Sequence, residues 1–509
     1  MINMKIFTID DIRAIERITA EVQAINEYDL VVRVAEGVAG EIASRWRASR
    51  PTVVFAGPGN NGADALVASR MLADQGFRPS VFLFNIKGHK INDLCRRCRD
   101  ELLVAYPETD FTEVVESFRM PELSDSSLVV DGLFGSGLRE PLEGGFQALV
   151  RYINESGAAV VSIDVPSGMF ADWNPHSIAR NIIHATLTLS VQFPHPAFFF
   201  KENAELVGEW KVLDIGLSAE AIHRTHTRYH LVEFQEVKRL LKPRQEFCSK
   251  ADFGHAAIIA GSEGMMGAAM FAASAAVRAG AGKVTLHGPQ CGCMIAQLRV
   301  PEVMYHSDSG RNEIVEMSLD RQFDAVAVGP GIGEDTATVS ALEKMLKSAS
   351  QPLVLDADAL NCIAQRPTLL SNIPPLSVLT PHAGEFDRLF GKHPTDEARL
   401  FKAIEMSRHY NLLIVLKGRF TALVRPDGKI YFNSSGTPAL ATPGSGDVLT
   451  GIIAGLMAQK YKPEVSALMG IFIHGRAGEI AARTHGQYGV TATDVVEATG
   501  MAIKEIMQL

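Results

Sequence analysis

The chain has 509 residues and a net charge of −9 at pH 7, and this length favours two domains over one hydrophobic core. The excess of acidic residues, with no basic run interleaved with aromatic residues, excludes a nucleic-acid-binding protein. Six cysteines without zinc-type spacing fit neither a disulfide scaffold nor a zinc site, so we expect reduced thiols and a cytoplasmic protein.

The chain opens without the apolar segment of a signal peptide, and no later apolar run is long enough to span a bilayer. Residues 9–48 place apolar and charged side chains at helical spacing, which predicts one or two amphipathic helices. The run Thr52–Ala56 predicts a buried strand, and a helix is expected from Ala65 onward. The turn between them, Gly57–Asp64, has the G-x-G-x-x-G spacing of a dinucleotide-binding loop. The next predicted strand ends in Asn85, however, where such loops are followed by an acid that binds ribose.

Two further predicted strands end in a carboxylate, Asp131 and Asp164, and each is followed by a glycine-containing turn. Because the carboxyl ends of parallel strands meet at one edge of a sheet, we expect these acids to lie close together. An aspartate at such a position is also typical of loops and helix caps. Asn61, Asp131 and Ser167 offer oxygen ligands without histidine or thiolate, which favours an alkali or alkaline-earth ion over zinc.

The segments GPGNNGADALVASR, DGLFGSGL and SIDVPSG resemble the three motifs of the NAD(P)HX epimerase domain, the N-terminal half of the bifunctional NAD(P)H-hydrate repair enzymes. The resemblance covers residues 5–217 and implies a Rossmann-like domain that interconverts the R and S hydrates of NADH and NADPH. It implies that Asp164 moves the proton and that Asn61, Asp131 and Ser167 hold a potassium ion. The implied substrate contacts are Asn60, Asn61, Gly62, Ala63, Asp64, Gly135, Ser136, Gly137, Leu138, Arg139, Glu140, Pro141 and Asp164.

The chain departs from that family in three places, and one of them is Met169–Trp173, where the family usually has an acid-rich stretch. The family usually has glycines where this chain has Ala63 and Ala65. A methyl group at residue 63 is expected to crowd a ligand that approaches the backbone. If it does, restoring both glycines should raise activity. A lysine that is common after the last strand has no clear match near Phe193–Pro196.

A polar, charged stretch between residues 217 and 250 places the domain boundary near residues 220–235, giving domains of 1–225 and 235–509. The second half alternates short apolar runs with helical patterns, which predicts a doubly wound domain. Its predicted strands include 284–286, 325–328, 353–356, 378–380 and 412–416. The expected fold class is therefore α/β, with two domains that are each a mostly parallel sheet flanked by helices.

Near the C-terminus, the turn Ala441–Asp447 leads into an apolar helix in which Gly451 and Gly455 share one face. The N-terminus of that helix offers free N–H groups to an anion. Asp447 would repel a phosphate there, which makes sense if the acid acts on a hydroxyl beside a phosphate that is being transferred. The alternative is an aspartate that only caps its helix. The second half contains no G-x-x-x-x-G-K-[ST] sequence, so it is not a P-loop site.

GSEGMMGA, GPGIG, DADALN, TPHAGE, LKGRFT and TPGSGD occur in this order and resemble the motifs of the ADP/ATP-dependent NAD(P)HX dehydratase, a ribokinase-like fold. The resemblance implies that Asp447 contacts the hydrated nicotinamide ring, and we expect it to take the hydroxyl proton while ADP or ATP acts with Mg²⁺. The implied substrate contacts are Ala268, Gly331 and His382, and the implied nucleotide contacts are Lys417, Gly418, Arg419, Phe420, Thr421 and Gly446.

Together the two sets of motifs predict an enzyme that repairs NADHX and NADPHX at the expense of ADP or ATP, with no nucleic-acid or membrane partner. Two alternatives stay open. One is a ribokinase-like kinase that phosphorylates a vitamin-precursor alcohol, and the other, for the N-terminal half alone, is an inert dinucleotide-binding module. Neither explains both sets of motifs in one chain. The sequence leaves the preferred nucleotide and the oligomeric state open, and a homo-oligomer is compatible with it.

Overall fold

The computed structural model describes residues 4–88, 91–175, 177–317 and 322–508. Its contacts divide the chain into two compact units. The first unit is Lys5–Thr227, and the second unit is Arg228–Leu509 together with Met1–Met4. The predicted fold class is confirmed, because each unit holds a mostly parallel sheet flanked by helices. None of the helices in the described ranges combines the length and the apolar character needed to cross a membrane.

The strands up to residue 227 are short and mostly buried. They are β1 (Met4–Ile6), β2 (Thr52–Ala56), β3 (Pro79–Phe84), β4 (Phe111–Val114), β5 (Leu128–Gly132), β6 (Ala159–Ile163), β7 (Leu187–Val191) and β8 (Glu209–Leu213). The sheet of the first unit has the order β4-β3-β2-β5-β6-β7-β8, and every neighbouring pair is parallel. All five residues of β2 and of β5 are buried, as expected for central strands with both faces covered.

The helices of the first unit cover this sheet. They are α1 (Ile9–Gln23), α2 (Glu27–Arg45), α3 (Asn60–Asp74), α4 (Asp93–Ala105), α5 (Gly144–Glu155), α6 (Ala204–Val207) and α7 (Ala219–Arg224). Two amphipathic helices before β2 confirm the prediction for residues 9–48. Asn26 and Asp29 start α2 with a capping box, in which each side chain accepts from the other residue's N–H. The strand order reverses between β2 and β5, and ligands of doubly wound sheets bind at such a switch point.

The strands of the second unit begin earlier than the predicted boundary of 235. They are β9 (Tyr229–Val232), β10 (His255–Ile259), β11 (Lys283–Gly288), β12 (Met304–Ser307), β13 (Ala325–Val328), β14 (Leu353–Leu355), β15 (Val378–Leu379), β16 (Leu413–Leu416), β17 (Ala422–Val424) and β18 (Ile430–Asn433). They follow the order β9-β18-β17-β16-β15-β14-β13-β10-β11-β12. In this order, every neighbouring pair from β16 through β10 to β12 is parallel, and β17 is antiparallel to both of its neighbours.

Helices lie on both faces of the second sheet. They are α8 (Phe234–Leu240), α9 (Met266–Arg278), α10 (Cys293–Arg299), α11 (Thr336–Ser348), α12 (Asp358–Gln365), α13 (Ala383–Phe390), α14 (Asp396–Tyr410), α15 (Ser445–Ala458), α16 (Pro463–Gly489) and α17 (Ala492–Gln508). Side chains of β10 alternate between the two cores: Ala256 and Ile258 join the cluster with α9, α15 and α16, whereas Ala257 and Ile259 join the one with α11 and α12.

Helices α9 and α15 pack with their backbones in close approach. A Cβ atom at Gly451 would collide with the carbonyl oxygen of Ala272, and one at Gly455 would lie 2.7 Å from that of Ala276. The i, i+4 glycines noted in the sequence therefore serve packing, because a larger side chain at either position would push the two helices apart. This contact fixes α15, and with it the turn that carries Asp447, against the neighbouring helix.

Candidate functional site

The predicted residues of the first unit gather at the carboxyl ends of β2, β5 and β6. The loops after β2 and β5 touch, since the N–H of Gly57 donates to the carbonyl of Gly132 at 2.9 Å. A Cβ atom at Gly57 would collide with the backbone of Leu133, and one at Gly62 would collide with the carbonyl of Gly57. Glycine is therefore required at both positions for the chain to fold back so tightly.

The Asn-Asn-Gly-x-Asp motif lies in a helix rather than in the predicted loop. Helix α3 begins at Asn60, five residues before the expected start at Ala65, with Gly59 as its N-cap. The close approach of Gly62 to Gly57 fixes this turn, and tertiary packing of this kind overrides the weak helix propensity of asparagine and glycine. Asn60 is tied to the next segment because its Oδ1 accepts from Nδ2 of Asn92 at 2.8 Å.

Ala63 and Ala65 are fully buried within the hydrophobic cluster of the first unit. A Cβ atom at Gly132 would lie 2.5 Å from the Cβ of Ala65, so the residue 65 methyl group already packs against β5. The expectation that a methyl group at residue 63 crowds the ligand is therefore not supported, because both methyl groups contribute to the core.

Asp164 follows β6 with a φ of +67°, a left-handed conformation that is rare for residues other than glycine. Its Oδ2 accepts from the N–H of Ser136 at 2.9 Å, and its Oδ1 lies 2.7 Å from Nε2 of His195. Burial alone would raise the pKa of Asp164, but His195 and the hydrogen bond from Ser136 outweigh burial and hold that pKa at about 2. Asp164 is therefore an ionised carboxylate at neutral pH.

The loop Gly135–Pro141 passes directly over Asp164. A Cβ atom at Gly135 would lie 3.2 Å from both the Asn61 side chain and Oδ2 of Asp164. The Asn61 amide is satisfied when it donates to the carbonyl of Ile163 and accepts from the N–H of Gly135, each at 3.3 Å. Asn61, Gly135, Ser136 and Asp164 are thus brought together. The rest of the loop lies farther out: Gly137, Arg139 and Glu140 are exposed, and Leu138 and Pro141 are half-buried.

Asp131 and Ser167 are in direct contact below this loop. The Ser167 hydroxyl donates to Oδ1 of Asp131 at 2.5 Å and its N–H donates to Oδ2 at 2.9 Å. Ser162 and the N–H of Leu133 are the other donors to this carboxylate. These partners are all neutral, and burial raises the pKa of Asp131. A buried carboxylate with neutral oxygen-bearing neighbours fits a large monovalent cation, which would compensate its charge.

Two residues at this site had no role in the sequence analysis. His195 lies in the segment Phe193–Pro196 that was inspected only for a lysine, and its contact with Asp164 spans 31 residues without any periodic signal. Glu16, on α1, lies near Asp164: burial and the Asp164 carboxylate raise the pKa of Glu16 to about 7. Burial, with the carboxylates of Asp164 and Glu16, also raises the pKa of Asp64 well above its usual range.

In the second unit, Asp447 stands in the first turn of α15, behind Gly444, the N-cap, which has a φ of +86°. No described residue donates a hydrogen bond to the Asp447 carboxylate, so it does not cap its helix. Burial raises the pKa of Asp447 to about 7, and the carboxylates of Asp356, Asp358 and Glu385 add to this effect. Lys417 opposes it without cancelling it. Such a carboxylate exchanges a proton near neutral pH.

Lys417 connects the elements around Asp447. Its Nζ lies 2.8 Å from Oδ1 of Asp356 and 3.7 Å from Oε2 of Glu385. A Cβ atom at Gly446 would lie 3.3 Å from the same Nζ. Oδ2 of Asp356 accepts from the hydroxyl of Thr450, on α15, at 2.6 Å. Asp356 therefore ties β14, Lys417 and α15 together, although the sequence analysis gave it no role beyond its place in the DADALN motif.

The remaining predicted residues of the second unit form smaller groups. A Cβ atom at Gly331, whose φ is +63°, would lie 3.2 Å from the Cβ of Ala268, so these two predicted substrate contacts are adjacent. His382 is half-exposed and caps α13, and its Nε2 lies 3.3 Å from Oε1 of Glu385. The predicted nucleotide segment Lys417–Thr421 is a turn in which the N–H of Gly418 donates to the hydroxyl of Thr421 at 3.3 Å.

Ser445 and His474 were also missed. Ser445 directly precedes Gly446, and its hydroxyl lies 3.0 Å from Nε2 of His474 on α16. Burial lowers the pKa of His474 to about 4, so the imidazole is neutral and steadies the start of α15.

In the described ranges, these residues coincide neither with a cluster of metal-binding side chains nor with the cavity described next. Across the described ranges, no group of three or more histidine, cysteine, aspartate or glutamate side chains could hold a metal ion. This result concerns clusters of those four residue types, and it does not concern an ion held by amide, hydroxyl and single carboxylate oxygens. A cavity of about 1560 Å³ lies between residues 241–253, α9 and α17, and none of the predicted site residues lines it.

Comparison with known proteins gives matches along the whole chain. Residues 27–197 match the family described as "YjeF-related protein N-terminus", and residues 256–500 match that described as "NAD(P)H-hydrate dehydratase". A bifunctional NAD(P)H-hydrate repair enzyme of Thermofilum pendens is 33% identical over 99% of this chain and 97% of its own. One of Moorella thermoacetica is 34% identical over 88% of this chain and 87% of its own.

Solved structures match part of the chain. The crystal structure of the ADP/ATP-dependent NAD(P)H-hydrate dehydratase of Bacillus subtilis, co-crystallised with ATP and Mg²⁺, is 29% identical, with a TM-score of 0.48. The match covers 54% of this chain and 98% of that one.

Proposed function

Because the chain belongs to the family of bifunctional NAD(P)H-hydrate repair enzymes, we propose that it returns hydrated NADH and NADPH to their reduced forms through two activities, one in each unit. We assign the epimerase to domain 1–225 and the dehydratase to domain 235–509. The two family matches, at residues 27–197 and 256–500, support this division. The similarity to repair enzymes along the whole chain favours this function over a vitamin-precursor kinase joined to an inert module.

The dehydratase has to remove a hydroxyl group from C6 of the nicotinamide ring. Hydroxide is a poor leaving group, so the oxygen first receives the terminal phosphoryl group of ADP or ATP, which releases AMP or ADP. It then leaves as phosphate while C5 gives up a proton, and the electrons of the C5–H bond form the C5=C6 double bond of the reduced ring. Asp447 takes the hydroxyl proton as the oxygen attacks, and the N–H groups at the start of α15 stabilise the charge on the transferred group. The observation that carries this assignment is the position of Asp447 beside an anion-binding helix start. Its carboxylate is half-buried and receives no hydrogen bond from any residue that the structure describes.

The other predicted residues of the second unit bind the two reactants. Lys417–Thr421 and Gly446 hold the nucleotide, and Ala268, Gly331 and His382 hold the hydrate. Carboxylates outnumber the single lysine around Asp447, which fits Mg²⁺ bound to nucleotide phosphates and one or two carboxylates. Asp358 and Glu385 would hold this ion, whose charge would neutralise the phosphates.

The epimerase of the first unit moves a proton while water leaves C6 and returns on the opposite face. Asp164 exchanges this proton, and Asn60–Asp64 with the loop Gly135–Pro141 hold the dinucleotide. Asn61, Asp131 and Ser167 would hold a potassium ion, whose charge would balance the buried carboxylate of Asp131. The contact of Asn61 and Asp164 with Gly135, and of Asp131 with Ser167, supports this arrangement.

The repair function is tested by incubating the purified chain with hydrated NADH and ADP or ATP. We expect the near-ultraviolet absorbance of the reduced ring to return and inorganic phosphate to be released, without a stable phosphorylated product. Efficient formation of a phosphorylated vitamin precursor, with no action on hydrated NADH, would instead establish the kinase.

The epimerase is tested separately with the pure R hydrate and no nucleotide, so that the dehydratase is idle. Chromatography should show conversion to the S hydrate faster than the spontaneous rate. A rate equal to that without protein, with or without K⁺, would make the first unit a binding module.

The six cysteines are all free thiols, and this supports a cytoplasmic location. Gel filtration would establish whether the chain forms a homo-oligomer.

A further inference from the structure

His195 occupies a position that neither the motifs nor the comparisons assign. It follows β7 and is the N-cap of a 3-10 helix over Pro196–Phe199. Its side chain is 1% exposed, and its Nε2 lies 2.7 Å from Oδ1 of Asp164. Because β6 and β7 are neighbouring parallel strands, their carboxyl ends bring Asp164 and His195 to the same edge of the sheet.

The imidazole of His195 is packed in the core, but only one of its two ring nitrogens has a polar partner in the described ranges. Phe198 packs edge-on against it, with ring centroids 5.5 Å apart. The carbonyl of Phe193, two residues before it, accepts from the hydroxyl of Ser190 at 2.6 Å. Nδ1 of His195 is buried and has no hydrogen-bond partner in the described ranges. Leaving such an atom unpaired costs about 1–3 kcal/mol. Asp164 is therefore the polar partner that accounts for a histidine here.

Asp164 is also the member of the pair that can meet a ligand. Its side chain is 13% exposed, against 1% for His195. Oδ1 faces His195 and Oδ2 accepts from Ser136, but a carboxylate has about four acceptor positions. At least one acceptor position therefore stays available to a ligand. Any effect of His195 on the substrate must pass through this carboxylate.

We propose that His195 is a positioning residue of the epimerase, which holds the Asp164 carboxylate and shares with it the proton that the reaction moves. This inference rests on the proposed epimerase activity. Asp164 stays the catalytic residue, since it is the one that reaches the substrate.

Before the reaction begins, the Asp164–His195 pair carries the proton that the reaction moves. When the C6–O bond breaks, its electron pair stays on the oxygen, the proton passes through Asp164 to that oxygen, and water leaves. The lone pair of the ring nitrogen forms a C=N double bond to C6. Water then adds to the opposite face, its oxygen forms the new bond to C6, and the C=N electrons return to nitrogen. The proton that this water loses returns through Asp164 to the pair.

The charged groups around the Asp164–His195 pair are mostly acidic. Asp172 interacts with His195, and Glu16 and Asp64 interact with Asp164. The cationic neighbours are Arg139, which faces Asp172, and Arg13, which faces Glu16. Since the pair must hold its proton to start the reaction, epimerisation should slow as rising pH removes it.

The test compares wild type, His195→Gln and His195→Lys in the full chain, with His184→Gln as control because His184 is exposed in the same unit. Conversion of the R hydrate is followed without nucleotide, as a function of pH. Glutamine keeps an N–H for Asp164 but carries no titrating proton, so kcat should fall at least about tenfold with KM within about twofold. The alkaline decline should also disappear. Lysine, which supplies a charged N–H, should restore part of kcat.

Because His195 and the dehydratase lie in different units, circular dichroism and urea denaturation report whether the first unit of each variant is folded. Dehydratase activity, measured with the S hydrate and ADP or ATP, is the control for the second unit. A His195→Gln chain that keeps the wild-type kcat and pH profile overturns the role of His195 while leaving the epimerase in place. A His195→Gln chain in which only KM changes also overturns the role of His195. A wild-type chain that does not convert the R hydrate refutes the proposed epimerase itself, and the role of His195 with it.

Discussion

Replacing Asp447 by asparagine should remove dehydratase activity and, at the same time, stabilise the unliganded protein. Asparagine has nearly the shape of a neutral carboxyl group, but it cannot accept the hydroxyl proton. We expect kcat to fall about 10²-fold or more, the scale of a lost general base. In the wild type, activity should rise about tenfold per pH unit below pH 7 and level off above it, because the base must be unprotonated.

The gain in stability follows from the same raised pKa. Moving the pKa of Asp447 from its ordinary value of 3.8 to about 7 corresponds to about 4 kcal/mol of destabilisation once the group is ionised in both states. The side chain is partly exposed, and solvent screening reduces this to about 1–3 kcal/mol. Because the folded pKa is raised, the cost is absent below about pH 4 and complete above about pH 7. Asp447→Asn should therefore stabilise the fold at pH 8 but not at pH 3.

Urea denaturation of both proteins at the two pH values measures this difference, with Asp494→Asn as the matched control. Asp494 also stands in the first turn of a helix, α17, but its carboxylate accepts from the N–H and hydroxyl of Thr491, which lowers the pKa of Asp494. Its replacement should reduce stability at pH 8 and leave activity unchanged. If Asp447→Asn behaves like Asp494→Asn, Asp447 is a helix cap and the reasoning above is wrong.

Three further changes have defined outcomes. Gly446→Ala should raise the KM for ADP or ATP about tenfold or more by displacing the Lys417 ammonium, whose Nζ would lie 3.3 Å from the new Cβ. Gly500→Ala should not, because its Cβ would make only an ordinary contact, 4.0 Å from the carbonyl oxygen of Arg278, and steady-state kinetics compares the two. Replacing Ala63 and Ala65 together by glycine should lower the free energy of unfolding by at least about 2 kcal/mol in urea and should not increase epimerase activity, whereas an increase would show that the methyl groups do crowd the ligand. Asp131→Asn should abolish the stimulation of the epimerase by K⁺ over Na⁺, and equal stimulation of variant and wild type would place the ion elsewhere.

The sequence predicted the parallel sheets because parallel strands leave a simple pattern. Predicted strands such as those that end at Asp131, Asp164 and Asp356 are apolar runs closed by a polar residue. Within each sheet, the parallel geometry then brings such ends to one edge. The antiparallel pair β17 and β18 was not predicted. These strands are three and four residues long, and such short runs carry too little periodicity to distinguish a strand from a buried turn.

The contacts within the candidate sites were much harder to predict. Asp164 and His195 are distant in sequence, and their contact depends on the left-handed backbone of Asp164 and of Gln192. No local sequence pattern predicts this conformation for residues other than glycine. The early start of α3 at Asn60 likewise depends on Gly62 meeting Gly57 in the folded chain. Local propensity favours a loop there, and tertiary packing overrides it.

The glycine seam between α9 and α15 limits how this protein can be engineered. Exchanging a helical glycine for alanine is a standard way to stabilise a protein, worth about 1 kcal/mol where space allows. At Gly451 and Gly455 the same exchange would force two backbones apart and shift the whole of α15, including Asp447 at its start. A thermostability screen that selects only for survival on heating would therefore tend to reject substitutions at these two glycines. A screen for activity would also detect a loss there, although neither glycine is a predicted site residue.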